Sequence, residues 1–249
     1  MNKNMSNYTF PAGVTYKQYY ITGADFLPDN YQYDGSVGNL IRNCENNVLS
    51  LKFSTSNISN FQYFFNNCNN LATIPEIDTS NATNVNYMFS GCSALHTIPE
   101  LDFSNVTSST YLFQSCLNLK RLPNLNLIKN TSLNYTFYGC SALISIGEIR
   151  CDSVSSISTV FGYSNISTLM HIGGFKNLGM KSSVSGTSSS FLNYLPNLTH
   201  ESAVNIINGL YDRASAGYSV LTLKFHANTL AKLTDEEIAI ATNKGWTIS

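Results

Sequence analysis

The chain has 249 residues, of which 43% are hydrophobic and only 12% are charged, compared with about 25% charged residues in ordinary soluble domains. Its formal net charge is −1, so nothing attracts it electrostatically to nucleic acid or to an anionic membrane, and nucleic acid is not an expected partner. Membrane insertion is not expected either, because no segment approaches the roughly 18 apolar residues that span a bilayer.

The N-terminal segment, residues 1–36, does not repeat and is rich in tyrosine. It begins with polar and aromatic sequence and lacks the apolar stretch of a secretory signal peptide. Turn-forming pairs such as Asp34-Gly35 interrupt it. Two interpretations stay open: a cap of short strands that closes the repeat array, or an attachment segment that docks on a partner.

Residues 37–172 repeat with a period of 24 residues. Three of the series at this step are Cys44, Cys68, Cys92, Cys116 and Cys140; Phe65, Phe89, Phe113, Phe137 and Phe161; and Leu71, Leu95, Leu119 and Leu143. One repeat cannot bury its own apolar face, whereas stacked repeats bury a continuous core. The period predicts an α/β solenoid of the leucine-rich-repeat type.

Each repeat is expected to contain one short helix and one short parallel strand. Val85, Met88, Phe89 and Cys92 follow the i, i+3, i+4, i+7 spacing of an apolar helical face. The stretch from residue 95 to 101 then places aliphatic residues beside a proline, which is typical of a short strand paired only with its equivalents in adjacent repeats.

The cysteine series has two interpretations, a set of disulfides or a metal site on one hand and buried thiols on the other. Stacking would set successive thiols about 5 Å apart. Their Cα–Cβ bonds would run parallel, however, whereas a disulfide needs them to converge. Zinc-ligand spacings are absent. Buried free thiols are therefore predicted, with no metal and no cofactor.

Two polar series are candidate binding residues. In the acidic series, Glu76 and Glu100 share one register and Asp78 and Asp102 another. Carboxylates gathered in this way could coordinate Ca²⁺ or accept hydrogen bonds from glycan hydroxyls. A solvated strand edge is the alternative.

The second candidate series is aromatic: Tyr63, Tyr87, Tyr111 and Tyr135 each lie two residues before a core phenylalanine and hence off the apolar face. An exposed row of tyrosines stacks on sugars or anchors a protein interface. The alternative is that each ring packs on its counterpart in the next repeat and leaves only its hydroxyl in water.

Residues 173–249 are expected to form a degenerate repeat and an α/β C-terminal cap. The period slips after Phe161, and Gly173-Gly174 is expected to mark a loop or insertion. The predicted elements are a helix over residues 199–212, a strand over 220–225, a helix from the capping box 234–237 to Gly245, and a strand over 246–248.

Two segments resemble the F-x-G-C-x-x-L-x-x-I core of the BspA-like leucine-rich-repeat surface proteins: Met88-Phe89-Ser90-Gly91-Cys92-Ser93-Ala94-Leu95 and Phe137-Tyr138-Gly139-Cys140-Ser141-Ala142-Leu143-Ile144-Ser145-Ile146. The resemblance covers about residues 37–170. Residues 173–179 and 233–246 are similar to the end of such proteins in gut bacteria and their phages. The resemblance implies a parallel-sheet solenoid that binds other proteins, host matrix or glycans.

Members of that family on the cell surface carry a signal peptide or an anchor, and this sequence departs from that pattern. Because virions assemble in the cytoplasm, we expect a phage virion component, associated with the tail or fibre, that contacts a receptor or neighbouring virion proteins. The alternative is a bacterial cell-surface adhesin-like protein that binds host protein or glycan. Homo-oligomerisation stays open.

An enzyme is not expected. The four histidines, His96, His171, His200 and His226, fall in unrelated registers and form no metal-binding or nucleophile–base spacing. No nucleophile-elbow or phosphate-binding glycine motif occurs.

Overall fold

The computed structural model describes residues 54–157, 159–162, 166–185 and 191–249. The proposed N-terminal cap or attachment segment, the predicted start of the array near Val37, and Cys44 lie outside the described residues.

Successive 24-residue segments stack in parallel register. Asn60 bridges Asn84, Asn84 bridges Ser108, and Thr97 bridges Arg121. Further along, equivalent residues form six short strands: β1 (Arg121–Leu122), β2 (Leu125–Asn126), β3 (Ser145–Ile146), β4 (Ile149–Arg150), β5 (His171–Ile172) and β6 (Phe175–Lys176). They make two parallel sheets, in the orders β1-β3-β5 and β2-β4-β6.

The single strand predicted for each repeat is divided into two by a corner. In the repeat that contains β1 and β2, Pro123 and Asn124 form the corner, and proline has no N–H to continue a ladder. In the next repeat the corner residue is Gly147, where a Cβ atom would lie 2.6 Å from the backbone nitrogen of Asn124. Glycine is therefore required where the stacked corners approach most closely.

The helix predicted for each repeat does not form in the described repeats, and that prediction is wrong. Consecutive turns replace it, for example over residues 62–67. The amides of Phe64 and Asn66 donate three residues back, whereas the intervening amides donate to carbonyl groups of the next repeat: Phe61 to Asn84, Tyr63 to Asn86, Phe65 to Met88 and Asn67 to Ser90. The φ of Tyr63, +60°, also lies outside the α-helical region.

The core is a continuous column of apolar side chains that runs through the stack. The phenylalanines predicted to repeat, Phe65, Phe89, Phe113, Phe137 and Phe161, are fully buried. Neighbouring rings in this column are stacked, with centroids 5.5–6.0 Å apart. The predicted apolar registers are thus confirmed even though the backbone that carries them is not helical.

The stacking continues beyond Phe161, where the sequence period slips. Ser145 pairs with His171 rather than with a residue 24 positions later, so two additional residues are accommodated. Gly173 and Gly174 form the corner between β5 and β6, and the prediction that they mark a loop or insertion is wrong. Parallel bridges from Leu178 to Leu210 and from Leu192 to Phe225 extend the array further.

The C-terminal part follows the predicted order of elements, with one addition. Its elements are α1 (His200–Gly209), β7 (Leu221–Leu223), α2 (Ala227–Leu230), α3 (Asp235–Asn243) and β8 (Trp246–Ile248). The capping box between Thr234 and Glu237 is confirmed, as is the final strand, which pairs with β7 in parallel. Helix α1 ends before residue 212 because Leu210 is extended and bridges Leu178. The short helix α2 was not predicted.

A buried arginine ties this part to the preceding segment. The guanidinium of Arg213 donates to the carbonyl oxygens of Gly179, Lys181, Ser182 and Ser219 at 2.6–2.9 Å. Burial lowers its pKa, and the carbonyl oxygens satisfy the N–H groups that burial removes from water. Within the described part of the chain, no helix is long and apolar enough to cross a membrane.

Candidate functional site: a tyrosine strip along the repeats

The four predicted tyrosines form a continuous ring stack on the turn side of the repeats. The centroid distances are 4.8 Å for Tyr63–Tyr87, 4.7 Å for Tyr87–Tyr111 and 4.6 Å for Tyr111–Tyr135, and the planes diverge by at most 19°. All four side chains are half-buried. Each ring therefore packs on its counterpart in the next repeat, and the faces of Tyr87 and Tyr111 are covered on both sides.

The tyrosines occupy an unfavourable backbone conformation. Their φ angles are +57° to +60°, a left-handed region that costs a side-chain-bearing residue roughly 1–2 kcal/mol. A second column in the same turns also has positive φ and holds Asn67, Gly91, Ser115 and Gly139, mostly the residue types that tolerate this conformation. The tyrosine column keeps a bulky side chain at every described position despite that cost.

Each tyrosine is preceded by an uncharged polar residue: Gln62, Asn86, Thr110 and Asn134. These side chains are also half-buried and are cross-linked between repeats. Asn86 Oδ1 accepts hydrogen bonds from Ser108 Oγ at 2.8 Å and from the amide of Thr110 at 2.7 Å, and Asn134 Nδ2 donates to Ser156 Oγ at 2.8 Å. We call these four residues and the four tyrosines the tyrosine strip.

The strip is electrically neutral. Partial burial raises the pKa of Tyr87 and of Tyr111 above the ordinary 10.0, and neighbouring phenols raise both further. Near neutral pH these hydroxyls therefore keep their protons and can both donate and accept hydrogen bonds.

The acidic candidates lie on a different strip of each repeat, on either side of the corner. Glu76, Asp78, Glu100 and Asp102 are all exposed. Asp78 Oδ1 accepts from the amide of Ser80, and Asp102 Oδ1 accepts from the amide of Ser104, each at 2.9 Å. Over the described ranges, no group of three His, Cys, Asp or Glu residues is placed to hold a metal ion. The geometry therefore favours a solvated edge over a Ca²⁺ site.

The cysteines are buried free thiols, as predicted, at every described position from Cys68 to Cys140. The thiols of Cys92, Cys116 and Cys140 donate to phenylalanine carbonyl oxygens of the preceding repeat at 3.0–3.1 Å. Burial raises the pKa of Cys92 and Cys140 to about 12. These thiols are therefore poor nucleophiles.

The histidines do not converge on a common site. His200 contacts Glu237 at 2.8 Å, between the starts of α1 and α3, and His226 Nδ1 accepts from the amide of Asn228 in α2. His96 and His171 are exposed on separate repeats.

Sequence reasoning identified the tyrosines but missed the polar residues that precede them. Their signal was present, because Gln62, Asn86, Thr110 and Asn134 also recur every 24 residues. Polar residues at such positions have no distinctive propensity, so only their place beside the ring stack brings them into the candidate site.

Comparison with known protein families gives one match. Residues 36–149 match the family described as Mycoplasma protein of unknown function, DUF285. The matched range covers most of the 24-residue repeats and is slightly less than half of the chain. It agrees with the resemblance of residues 88–95 and 137–146 to BspA-like repeats. No curated protein and no solved structure matches the chain.

Proposed function

We propose that the chain is a non-catalytic binding protein built on a solenoid of the leucine-rich-repeat type. One observation carries this proposal: the parallel register places like residues above one another, so that a single recognition unit is presented again in every repeat. Such a surface suits an extended partner that contacts several repeats at once.

The absence of catalytic chemistry is part of the proposal and has chemical support. The buried thiols have raised pKa values, which suppress the thiolate that a cysteine nucleophile requires. The ion pair of His200 with Glu237 is the arrangement of a base with its orienting carboxylate, but no cysteine accompanies it, because the described cysteines lie in the core.

For the place of action we propose a phage virion, in a tail- or fibre-associated position. The similarity of residues 173–179 and 233–246 to the ends of repeat proteins in gut bacteria and their phages supports this location. The second candidate is a bacterial cell-surface adhesin-like protein, and the family match over residues 36–149 supports it through the BspA-like resemblance.

Mass spectrometry separates the two locations. Phage particles purified on a density gradient are compared with the envelope fraction of the same host cells. Recovery of the chain in intact particles, in a fixed ratio to the capsid protein, is the expected result. Recovery in the envelope fraction alone would overturn the virion proposal and favour the adhesin.

A further inference from the structure

Charged residues are confined to part of each repeat. The segments that form the turn side contain no Asp, Glu, Lys, Arg or His in any repeat: residues 57–71, 81–95, 105–119, 130–143 and 153–167. The charged residues occur between these segments, as Glu76, Asp78, Glu100 and Asp102 do beside the corner. The tyrosine strip therefore lies in the middle of an uncharged side.

An uncharged side disfavours several classes of partner. Nucleic acids and acidic polysaccharides are held by Lys and Arg, which are absent from these segments. A protein partner is usually anchored by large side chains in an apolar pocket. Among the described residues of these segments, Leu117 alone is a strongly exposed large hydrophobic residue. A neutral ligand rich in hydroxyl groups matches what remains.

The strip carries hydrogen-bond donors that are held in place and still available. The oxygen of the Asn86 amide is occupied by Ser108 and Thr110, and Gln62 Oε1 accepts from Asn84 Nδ2 at 3.4 Å. The NH₂ groups of Asn86 and Gln62 donate to no other residue in the described part of the chain. Donors fixed in this way lose little entropy when a ligand binds.

We propose that the tyrosine strip binds a neutral polysaccharide whose chain lies along the axis of the stack. This inference rests on the proposed binding function and names its surface and its ligand class. Each repeat offers the same unit, a polar side chain and a tyrosine hydroxyl, one step of 4.6–4.8 Å further along. The ring faces are covered, so the contacts are hydrogen bonds from hydroxyl and amide groups rather than stacking of sugars on aromatic faces.

The unfavourable φ angles provide independent support for this role. Glycine or asparagine would satisfy the backbone at these positions with less strain, yet four tyrosines stand there. A ligand that uses the phenol hydroxyls explains why the bulky residue is kept.

Affinity electrophoresis of the full chain tests the proposal. Native gels contain dextran, mannan, xyloglucan or arabinoxylan as neutral polysaccharides, and heparin or polygalacturonate as anionic ones. We expect at least one neutral polysaccharide to retard the protein and neither anionic one to do so. Lack of retardation by all four neutral polysaccharides would overturn the inference.

Matched variants locate the binding surface. The double variant Tyr87→Phe/Tyr111→Phe keeps the ring stack and removes two hydroxyls, and we expect an apparent affinity about tenfold weaker, the loss for two modest hydrogen bonds. Asn86→Asp replaces the donor with a carboxylate and should weaken binding as well. The control Glu76→Gln/Glu100→Gln alters the corner and should bind like the unmodified protein.

Failure of this inference is distinguishable from failure of the proposed function. Equal retardation of the phenylalanine variant and the unmodified protein, or loss of binding in the corner variant, would overturn the assignment to the strip. If the chain is recovered in phage particles or envelopes but no neutral polysaccharide retards it, the inference is wrong and the proposed location stands. Retardation that depends on Tyr87 and Tyr111 supports the inference whichever fraction contains the chain.

Discussion

At the scale of single residues, the tyrosine strip combines a favourable packing interaction with an unfavourable backbone conformation. Tyr87 stacks on Tyr63 and Tyr111, and aromatic pairs of this kind contribute about 0.5–1.5 kcal/mol beyond the area that they bury. Its φ is +57°, which opposes that gain. The two contributions can be separated, because alanine and glycine both remove the ring but differ in their tolerance of positive φ.

We predict that Tyr87→Gly is more stable than Tyr87→Ala by about 1 kcal/mol, measured as the free energy of unfolding in urea. The same pair of substitutions at Gln62, whose φ is not positive, is the control, and there alanine should be the more stable variant. Equal stabilities at residue 87 would show that the conformation is not a source of strain.

The buried phenylalanine column gives a second prediction at this scale. Phe89 is fully buried between Phe65 and Phe113. We expect Phe89→Ala to lower the free energy of unfolding by about 3–5 kcal/mol, because it leaves a cavity in a close-packed core. Phe89→Leu fills more of that space and should cost less. A loss near zero for the alanine variant would contradict the packing described.

At the scale of the structural element, the turns differ from helices in where their N–H groups donate. A helix satisfies its own amides, whereas every second amide in these turns donates to the next repeat. The cysteine thiols add a further link, since Cys92 donates to Phe65 in the preceding repeat. Each turn segment therefore depends on its neighbours for hydrogen bonding as well as for burial.

The thiol column predicts an alkaline loss of stability. Burial raises the pKa of Cys92 to about 12 from 9.0, so the unfolded chain loses this proton at a lower pH than the folded protein. The stabilisation is complete below pH 9 and is lost as the pH rises towards 12. We expect Cys92→Ser to reduce the slope of unfolding free energy against pH in this window by about 1.4 kcal/mol per pH unit.

Urea unfolding at a series of pH values measures this slope for both proteins. Serine keeps a hydroxyl donor for the Phe65 carbonyl but does not ionise in the window, so any constant offset between the curves reports packing alone. Parallel curves would show that the thiol ionises equally readily in the folded protein.

The sequence specified the repeat period and the buried registers, because a 24-residue step in Cys92, Phe89 and Leu95 requires only that like residues stack. It did not reveal the turns. The i, i+3, i+4, i+7 spacing of buried residues is common to a helix and to these turns, and tyrosine has no tendency towards positive φ that would have indicated the break. The capping box at Thr234 was predictable because its interactions are local.

At the scale of the whole molecule, the repeats interact chiefly with their neighbours, through bridges at a step of 24 residues such as Asn60 to Asn84. Stability of such an array is approximately a sum over repeats and over the contacts between adjacent repeats. The length of the stack is thus not fixed by any single long-range contact within the regular region.

We predict that removal of residues 81–104, one complete period, leaves a folded protein of lower stability, since Ser80 is then followed by the equivalent residue Asn105. Removal of residues 81–92, half a period, should prevent folding because it brings core positions to the surface. Circular dichroism and urea unfolding distinguish the two. A cooperative transition in the half-period variant would contradict a register-dependent stack.

The constant step between stacked residues also bears on inheritance. Crossing over between misaligned repeats of one gene adds or removes whole periods, and every such product keeps glycine at its crowded corners and tyrosine beside tyrosine. Recombination that would disrupt most folds is tolerated here, so a lineage that carries this gene can lengthen or shorten the contact surface of its protein in one genetic event.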